Sequence, residues 1–391
     1  MKVATAEIFR VDGGGRIFCY LKLTSDDGIV GWSEFQEAWG APGLGSVIEA
    51  LASQVVGEDP HRIEAITSRL KTATVQARGG LARQAIGAYE NALLDLKGKS
   101  LGVPVSQLLG GAIRDRIPVY WSHCGSYRAG QRALTWGLPP VRTYEDLEKL
   151  GGEVVDKGFK ALKTNVLMVQ DGQLSSVRSG GRREGQPELN WNPGLARAAH
   201  DTVMAFRSAV GPDISIMLDL HFSLKTEGYV RLAAAIEPAA LSWLEVDTHD
   251  PGSLAYVRRR ANCPVASLEA VYERHDFRPY LDAYAVDVAL VDVMFNGYLE
   301  SLKIASLADV YEVNVTPHNF YSHFSSYIAA HFSASVPNLR IMEIDIDGAP
   351  LRDELVGGPP PVEHGEFVLP TTPGWGVEVD EAVLRRRAVK G

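Results

Sequence analysis

Cysteine is scarce in this chain. Cys19, Cys124 and Cys263 lie far apart, an odd count without metal-knuckle spacing. That excludes a disulfide framework and a structural zinc site, and it suits a reducing compartment. No apolar run reaches the roughly 18 residues of a membrane span. The N-terminal "MKVATAEIFRVDGG" turns polar too soon for a secretory signal. The expectation is a cytoplasmic protein with no membrane partner. Excess basic charge is also missing. The formal net charge is −9, so no positive field draws nucleic acid, and the short run Arg385 to Arg387 reads as a solvated helix end. No Gly-rich phosphate loop opens a strand–helix unit, and "LLGG" precedes a strand and reads as a turn. What is present is an ordinary globular composition, 46% hydrophobic and 22% charged, in 391 residues. That length accommodates more than one domain.

The organisation changes along the chain. "VATAEIFRV" and "RIFCYLKLTS" are rich in β-branched and aromatic residues, and "SDDG" makes a tight turn before "IVGWSEF". "ARQAIGAYENALLDLKGKSLG" carries apolar groups at helical spacing and a stop at "KSLG". Residues 1–115 therefore read as a small α+β unit. Between 116 and 345 short apolar strands alternate with helical segments. Eight strands are expected: "IPVYWSH", "FKALKTN", "ISIMLDLH", "LSWLEV", "PVASLE", "AVDVALVDV", "VNVTPHN" and "NLRIMEID". Such alternation implies parallel strands with crossover helices, and hence an α/β fold with a (β/α)7-8 TIM-type barrel. Residues 346–391 hold the turns "GGPPP" and "TTPGWG" and a short helix "DEAVLRRRAV", a segment that returns to the first unit. The stretch 171–194, rich in Gly, Ser, Arg and Gln, is long for a βα connection. It reads either as an unstructured insertion or as a flap over a site.

Polar residues recur at the strand ends. Lys163 and Asn165 end "FKALKTN", and Asp219 and His221 end "IMLDLH"; Glu245, Glu269, Asp292, His318 and Glu343 follow. From Asp219 onward the gaps for one residue per strand are 26, 24, 23, 26 and 25. One βα unit has about that length, so the same position recurs on consecutive strands and faces the C-terminal mouth of a barrel. Taken singly, each acid is as readily a strand-end ion pair or a helix cap. Together, Asp219, Glu245 and Glu269 would converge, and three half-buried anions repel one another. A divalent cation offsets that repulsion, and all-oxygen donors favour Mg²⁺ or Mn²⁺. Lys163 and His318 come from strands on opposite sides of this ring, and Asp292 can set the tautomer of His318. A metal with flanking bases suits removal of a proton α to a carboxylate. Trp121, His123 and Tyr127, just past the first barrel strand, are candidates to line the pocket, with Asn165. Tyr20 and Trp39 read as packing residues.

These residues form a known pattern. The chain resembles the enolase superfamily in its mandelate racemase branch, and more narrowly the acid-sugar dehydratases of the galactonate type. "VGWSE" resembles a capping-domain segment, "ALLDLKGKSLGVPVSQLLGG" the long helix and its exit into the barrel, and "PTTPGWGVEVDE" the closing segment. The resemblance covers nearly the whole chain. It implies an N-terminal α+β capping domain completed by the C-terminal segment. It implies one Mg²⁺ per subunit, replaceable by Mn²⁺, on Asp219, Glu245 and Glu269. By the same likeness His318 with Asp292 is the base, His221 the acid for a leaving hydroxyl, and Glu343 a partner of the substrate carboxylate, stabilising when protonated. The implied reaction is dehydration of a sugar acid, aldonate or aldarate, to a 2-keto-3-deoxy acid. A homo-oligomer, dimer or octamer, is also implied. The alternatives are a racemase or epimerase of a 2-hydroxy acid using Lys163, and a metal-binding barrel without catalysis. Racemases of the branch carry two lysines one residue apart on the second strand, where this chain has Lys163 and Asn165. Two further departures are Leu268, where a glycine usually precedes the third ligand, and Asn296-Gly297, where two glycines usually follow the dyad aspartate.

Overall fold

Alternating burial sets the first sheet. In the computed structural model, which describes residues 1–38, 40–177 and 190–389, β1 (Val3–Asp12), β2 (Ile17–Ser25) and β3 (Val30–Phe35) pair antiparallel in that order. The helices α1 (Leu44–Leu51), α2 (Ile63–Ala73) and α3 (Gly80–Leu101) complete the unit. α3 is buried almost all round from Ala82 to Leu96 because it lies between this sheet and the barrel. It stops where "KSLG" predicts, at Gly102 with φ 70°.

All eight expected barrel strands form. They are β4 (Arg116–Ser122), β5 (Ala161–Asn165), β8 (Ser215–Asp219), β9 (Trp243–Glu245), β10 (Val265–Ser267), β11 (Val288–Asp292), β12 (Asn314–His318) and β13 (Met342–Asp345). β6 (Leu167–Gln170) and β7 (Gln173–Ser176) make a hairpin between β5 and β8. The barrel strands pair in parallel from β4 through β12, and β13 pairs with β4. Closure between β12 and β13 comes from Val315 N–H to Asn338 O (2.9 Å) and Arg340 N–H to Val315 O (2.8 Å). The interior is filled by Tyr120, Ala161, Met217, Trp243, Ala266, Val288 and Leu290, a floor beneath the polar mouth.

The strand ends explain the sequence pattern. β8 stops at Asp219 because His221 takes φ 47°, and β10 stops before Leu268 at φ 91°. Both values lie in the left-handed region and end an extended run. The β6–β7 hairpin corrects the reading of residues 171–176 as part of an insertion. Its signal was present: Asp171 (φ 49°) and Gly172 (φ 77°) make a two-residue turn of the Asp-Gly type. Residues 178–189 of that stretch, and Trp39, lie outside the described residues, while Pro193 and Gly194 open the helix Pro193–Val210.

Four buried polar groups, Glu34, Tyr20, Asp95 and His331, tie the parts of the chain together. Glu34 of "VGWSE" accepts from Ser322 N (2.9 Å), Ser322 Oγ (2.6 Å) and Ser325 N (3.2 Å), capping the helix His323–Ser335 that follows β12. Tyr20 donates to Ser322 Oγ (2.8 Å). Asp95 of α3 accepts from Trp32 N (2.8 Å) and Trp375 N (2.9 Å), so "PGWG" docks on α3. His331 accepts from Ser106 N (3.2 Å) and faces Trp375 O (3.2 Å). The last helix, Glu381–Arg386, returns to the first sheet through Lys22 and Glu381 (2.7 Å). β14 (Val362–Glu363) and β15 (Glu366–Val368) lie against β4, with β15 antiparallel to it. Among the described residues no helix is long and apolar enough to cross a membrane.

Candidate active site

The mouth of the barrel holds two charged layers. In the lower one, Lys163 on β5 is 2% exposed and surrounded by acids. Its Nζ lies 2.9 Å from both oxygens of Glu245, 3.2 Å from Glu343 Oε1 and 3.8 Å from Asp219 Oδ2. Burial works against its charge, but Glu245, Glu343 and Asp219 outweigh that and hold its pKa well above the usual range. Glu245 also accepts from Trp243 Nε1 (3.3 Å). Glu343 accepts from Ser122 Oγ (2.5 Å) and Asn319 N (2.7 Å). Burial opposes its ionisation too, yet Lys163, His318 and these donors hold it at about 2. Glu343 thus accepts from two donors and faces the Lys163 ammonium.

The upper layer contains Asp247 and Glu269, which lie beyond ion-pair distance of Lys163. Asp247 follows Glu245 by two residues. Its Oδ1 accepts from Ser267 Oγ (3.0 Å), while Oδ2 is buried with no hydrogen-bond partner among the described residues. Burial, Glu245 and Asp219 push its carboxyl up to about 7. Ligand atoms of His221, Asp247 and Glu269 lie within 4.8 Å of one another and could hold a metal ion. Glu269 is raised well above its ordinary value by burial and by Asp247. Asp219 stands beside this group, its Oδ1 accepting from the His221 backbone N–H (2.9 Å) and lying 3.2 Å from His221 Nδ1. Of the three acids singled out in the sequence, Asp219 and Glu269 border the cluster. Glu245 is turned to Lys163 and lies outside this cluster, in which Asp247 stands. The signal for Asp247 was the same i+2 relation that links Asp219 with His221.

The base stands on the adjoining strands. Asp292 Oδ2 lies 2.7 Å from His318 Nδ1 and accepts from Tyr321 Oη, while Oδ1 accepts from Phe295 N (2.8 Å). This leaves His318 Nε2 turned to the cluster, 3.4 Å from Glu269 Oε2. Burial disfavours the charged ring, but Glu269, Asp292 and Glu343 outweigh it and raise His318 to about 10. Positive charge placed on Glu269, as by a bound cation, removes the first of these and leaves the ring able to accept a proton. Phe320 and Phe295 flank the imidazole at 5.1 and 6.5 Å between ring centres.

The remaining candidates divide. Asn165 Nδ2 donates to Asp219 O (3.2 Å) and lies 3.1 Å from His221 Nε2, while its Oδ1 accepts from Ser126 Oγ (2.8 Å). Since an amide NH₂ only donates, His221 Nε2 is the acceptor and its ring proton sits on Nδ1. Asn165 thus orients His221. His123 (φ 51°) stacks on Tyr127 at 4.8 Å and lies 2.9 Å from Ser122 Oγ. Trp121 is a correction. It points outward, with its ring 5.5 Å from Phe159, and Lys157 lies 4.9 Å from the ring centre. Strand alternation turns Tyr120 and Ser122 inward and leaves Trp121 under the helices. Asn296 braces the neighbouring loops, accepting from Glu273 N (2.7 Å) and donating to Asp292 O (3.1 Å).

The His318–Asp292 dyad faces an acidic cluster in the mouth of a closed barrel, the place where barrel enzymes carry out their chemistry. Residues 14–110 match the family described as Mandelate racemase / muconate lactonizing enzyme, N-terminal domain, and residues 146–383 match Enolase C-terminal domain-like. The chain belongs to the enolase superfamily, in its mandelate racemase/muconate lactonizing enzyme branch. It is similar to a Burkholderia xenovorans strain LB400 protein provisionally named L-alanine-DL-glutamate epimerase. The identity is 42%, the TM-score 0.96, and the match covers 100% of this chain and 99% of that one. A second structure of that protein holds magnesium and fumarate. It is also similar to a D-galactonate dehydratase family member from Streptomyces bingchenggensis (29% identical, covering 96% of this chain and 91% of the other). The D-xylonate dehydratase of Haloferax volcanii is 29% identical, with 95% and 85% covered.

Proposed function

We propose that this enzyme uses His318 to take the proton from the carbon beside the carboxylate of a small acid, and that the outcome is loss of a β-hydroxyl, the dehydration of a sugar acid. Asp219, Asp247 and Glu269 would hold Mg²⁺, with His221 next to them. The fit rests on the carboxylates of Asp247 and Glu269, whose oxygens lie within 4.8 Å of each other and of a His221 nitrogen, and on the buried Asp247 Oδ2, which makes no hydrogen bond among the described residues. The ion, when bound, supplies positive charge for the substrate carboxylate and for the charge that develops as the proton leaves. Asp292 fixes the His318 tautomer so that Nε2 faces the reacting carbon. His221, once it carries a second ring proton with substrate bound, would supply the proton for the departing hydroxyl.

The single observation that favours elimination is the closure of Lys163 on Glu245 and Glu343. An inversion needs a second group exchanging protons on the face opposite His318. An ammonium held by two carboxylates is a poor one, and the position two residues on is Asn165. Epimerisation is the second reading, and relationship favours it. The 42%-identical protein carries an epimerase name over the whole chain, against 29% for those named dehydratases. Incubating a library of sugar acids and α-substituted acids with enzyme and Mg²⁺ in deuterated water separates the two. A 2-keto acid product supports dehydration. Inversion at C2 with solvent deuterium and no 2-keto acid overturns it in favour of epimerisation.

A further inference from the structure

The loop joining β1 to β2 carries a buried cation to the barrel mouth. Its sequence is "DGGGR", Asp12 to Arg16. Gly14 and Gly15 both have φ 91°, a conformation that L side chains resist, and Asp12 Oδ1 accepts from both of their N–H groups at 2.9 Å. Leu351 N–H donates to Gly13 O (3.0 Å), which seats the loop on the segment after β13. Arg16 is only 7% exposed as a result. Its guanidinium carbon lies 4.5 Å from the centre of the Phe320 ring, whose centre lies 5.1 Å from that of His318.

Arg16 is poorly satisfied for so buried a charge. Nε and Nη2 make no hydrogen bond among the described residues. Nη1 only approaches Asp345 Oδ2, at 3.9 Å, and Arg352 Nη1 stands 3.9 Å from the same oxygen. Two guanidinium groups therefore share one carboxylate. The next acid, Asp347, is committed to Arg128 through bonds of 3.0 and 2.9 Å. Removing a charge from water without a full partner is costly, and a guanidinium fork matches a carboxylate with two parallel bonds.

We propose that Arg16 binds a second carboxylate at the end of the substrate remote from the carbon that His318 deprotonates, so that the substrate is a dicarboxylic acid, an aldarate rather than an aldonate. This rests on the active site described above but not on dehydration as its outcome. Calorimetric titration in Mg²⁺ with unreactive acids tests it, using succinate, glutarate and adipate against butyrate, valerate and hexanoate. The wild type should bind the best dicarboxylate about tenfold or more tighter than the monocarboxylate of equal length. Arg16→Met should bring that ratio to about twofold or less. Arg16→Lys, which keeps the charge but not the fork, should fall between them. Thermal melting and Mn²⁺ titration show that each variant is folded. Absence of a preference in the wild type, or its survival in Arg16→Met, overturns the proposal; if Arg16→Met does not fold, an undiminished ratio in Arg16→Lys does the same. A preserved ratio in an enzyme that forms no 2-keto acid would instead overturn dehydration alone.

Discussion

Lys163 Nζ stands 2.9 Å from each carboxylate oxygen of Glu245, a symmetric contact inside the barrel. In the proposed metal site this pair holds Glu245 back from the ion, and Asp247, two residues on, has an oxygen with no hydrogen-bond partner among the described residues. Asp247→Asn should therefore weaken Mn²⁺ binding by about two orders of magnitude, and Glu245→Gln by less than about tenfold. Electron paramagnetic resonance titration with Mn²⁺ measures this without any substrate. The reverse order of effects would return Glu245 to the metal.

Proton abstraction and hydroxyl loss should separate. Removal of the base in His318→Asn should abolish exchange of the substrate C2 proton with deuterated solvent. Asp292→Asn should be milder, because it disturbs the tautomer and basicity of the ring rather than deleting it. His221→Gln should slow 2-keto acid formation by about 10²-fold or more while leaving more of the C2 exchange, since general acid catalysis acts on the leaving group. Proton NMR of the same reaction reports both. Dehydration at the wild-type rate in His221→Gln would make His318 both base and acid.

Leu268 holds a conformation that glycine adopts more easily, and it does so with a buried side chain, φ 91° and 2% exposure. Leu268→Ala should cost about 2–5 kcal/mol by leaving a cavity while keeping the strained backbone. Leu268→Gly should be more stable than Leu268→Ala by about 0.5–1 kcal/mol, the reverse of the usual order. Urea denaturation of the two variants decides it. An alanine variant more stable than the glycine variant would show that the backbone is not strained there.

His331 gives the fold an acid limit away from the active site. Burial lowers its pKa to about 4, more than its bond to the Trp375 carbonyl raises it. The unfolded chain protonates near pH 6.5, so this contribution to stability is full above that pH. It declines as pH falls and levels off below about 4, where both states are protonated. The stability difference between wild type and His331→Gln should shrink by about 3 kcal/mol from pH 7 to pH 4. Denaturant titrations across that range measure it, and a difference that does not change with pH would mean that His331 protonates as readily in the folded as in the unfolded chain.

Strand identity was legible from local pattern. Short apolar runs end on polar residues at gaps of 23 to 26, one per βα unit, and all eight form strands. The link between Asp292 and His318 was also readable, because adjacent parallel strands bring equivalent positions side by side. What the sequence could not decide is which of two acids on one strand face joins the cluster with His221 and Glu269. Glu245 and Asp247 share a face by alternation. Only the tilt and stagger of the closed barrel set Glu245 at the level of Lys163 and lift Asp247 to that of Glu269. The same holds for Trp121, whose outward direction depends on strand parity fixed by β4 pairing with β5 and β13. Arg16 became visible only when a loop 329 residues before Asp345 folded down on it. Local periodicity is written in neighbouring residues, but the partner of a buried charge depends on contacts between segments far apart in the chain.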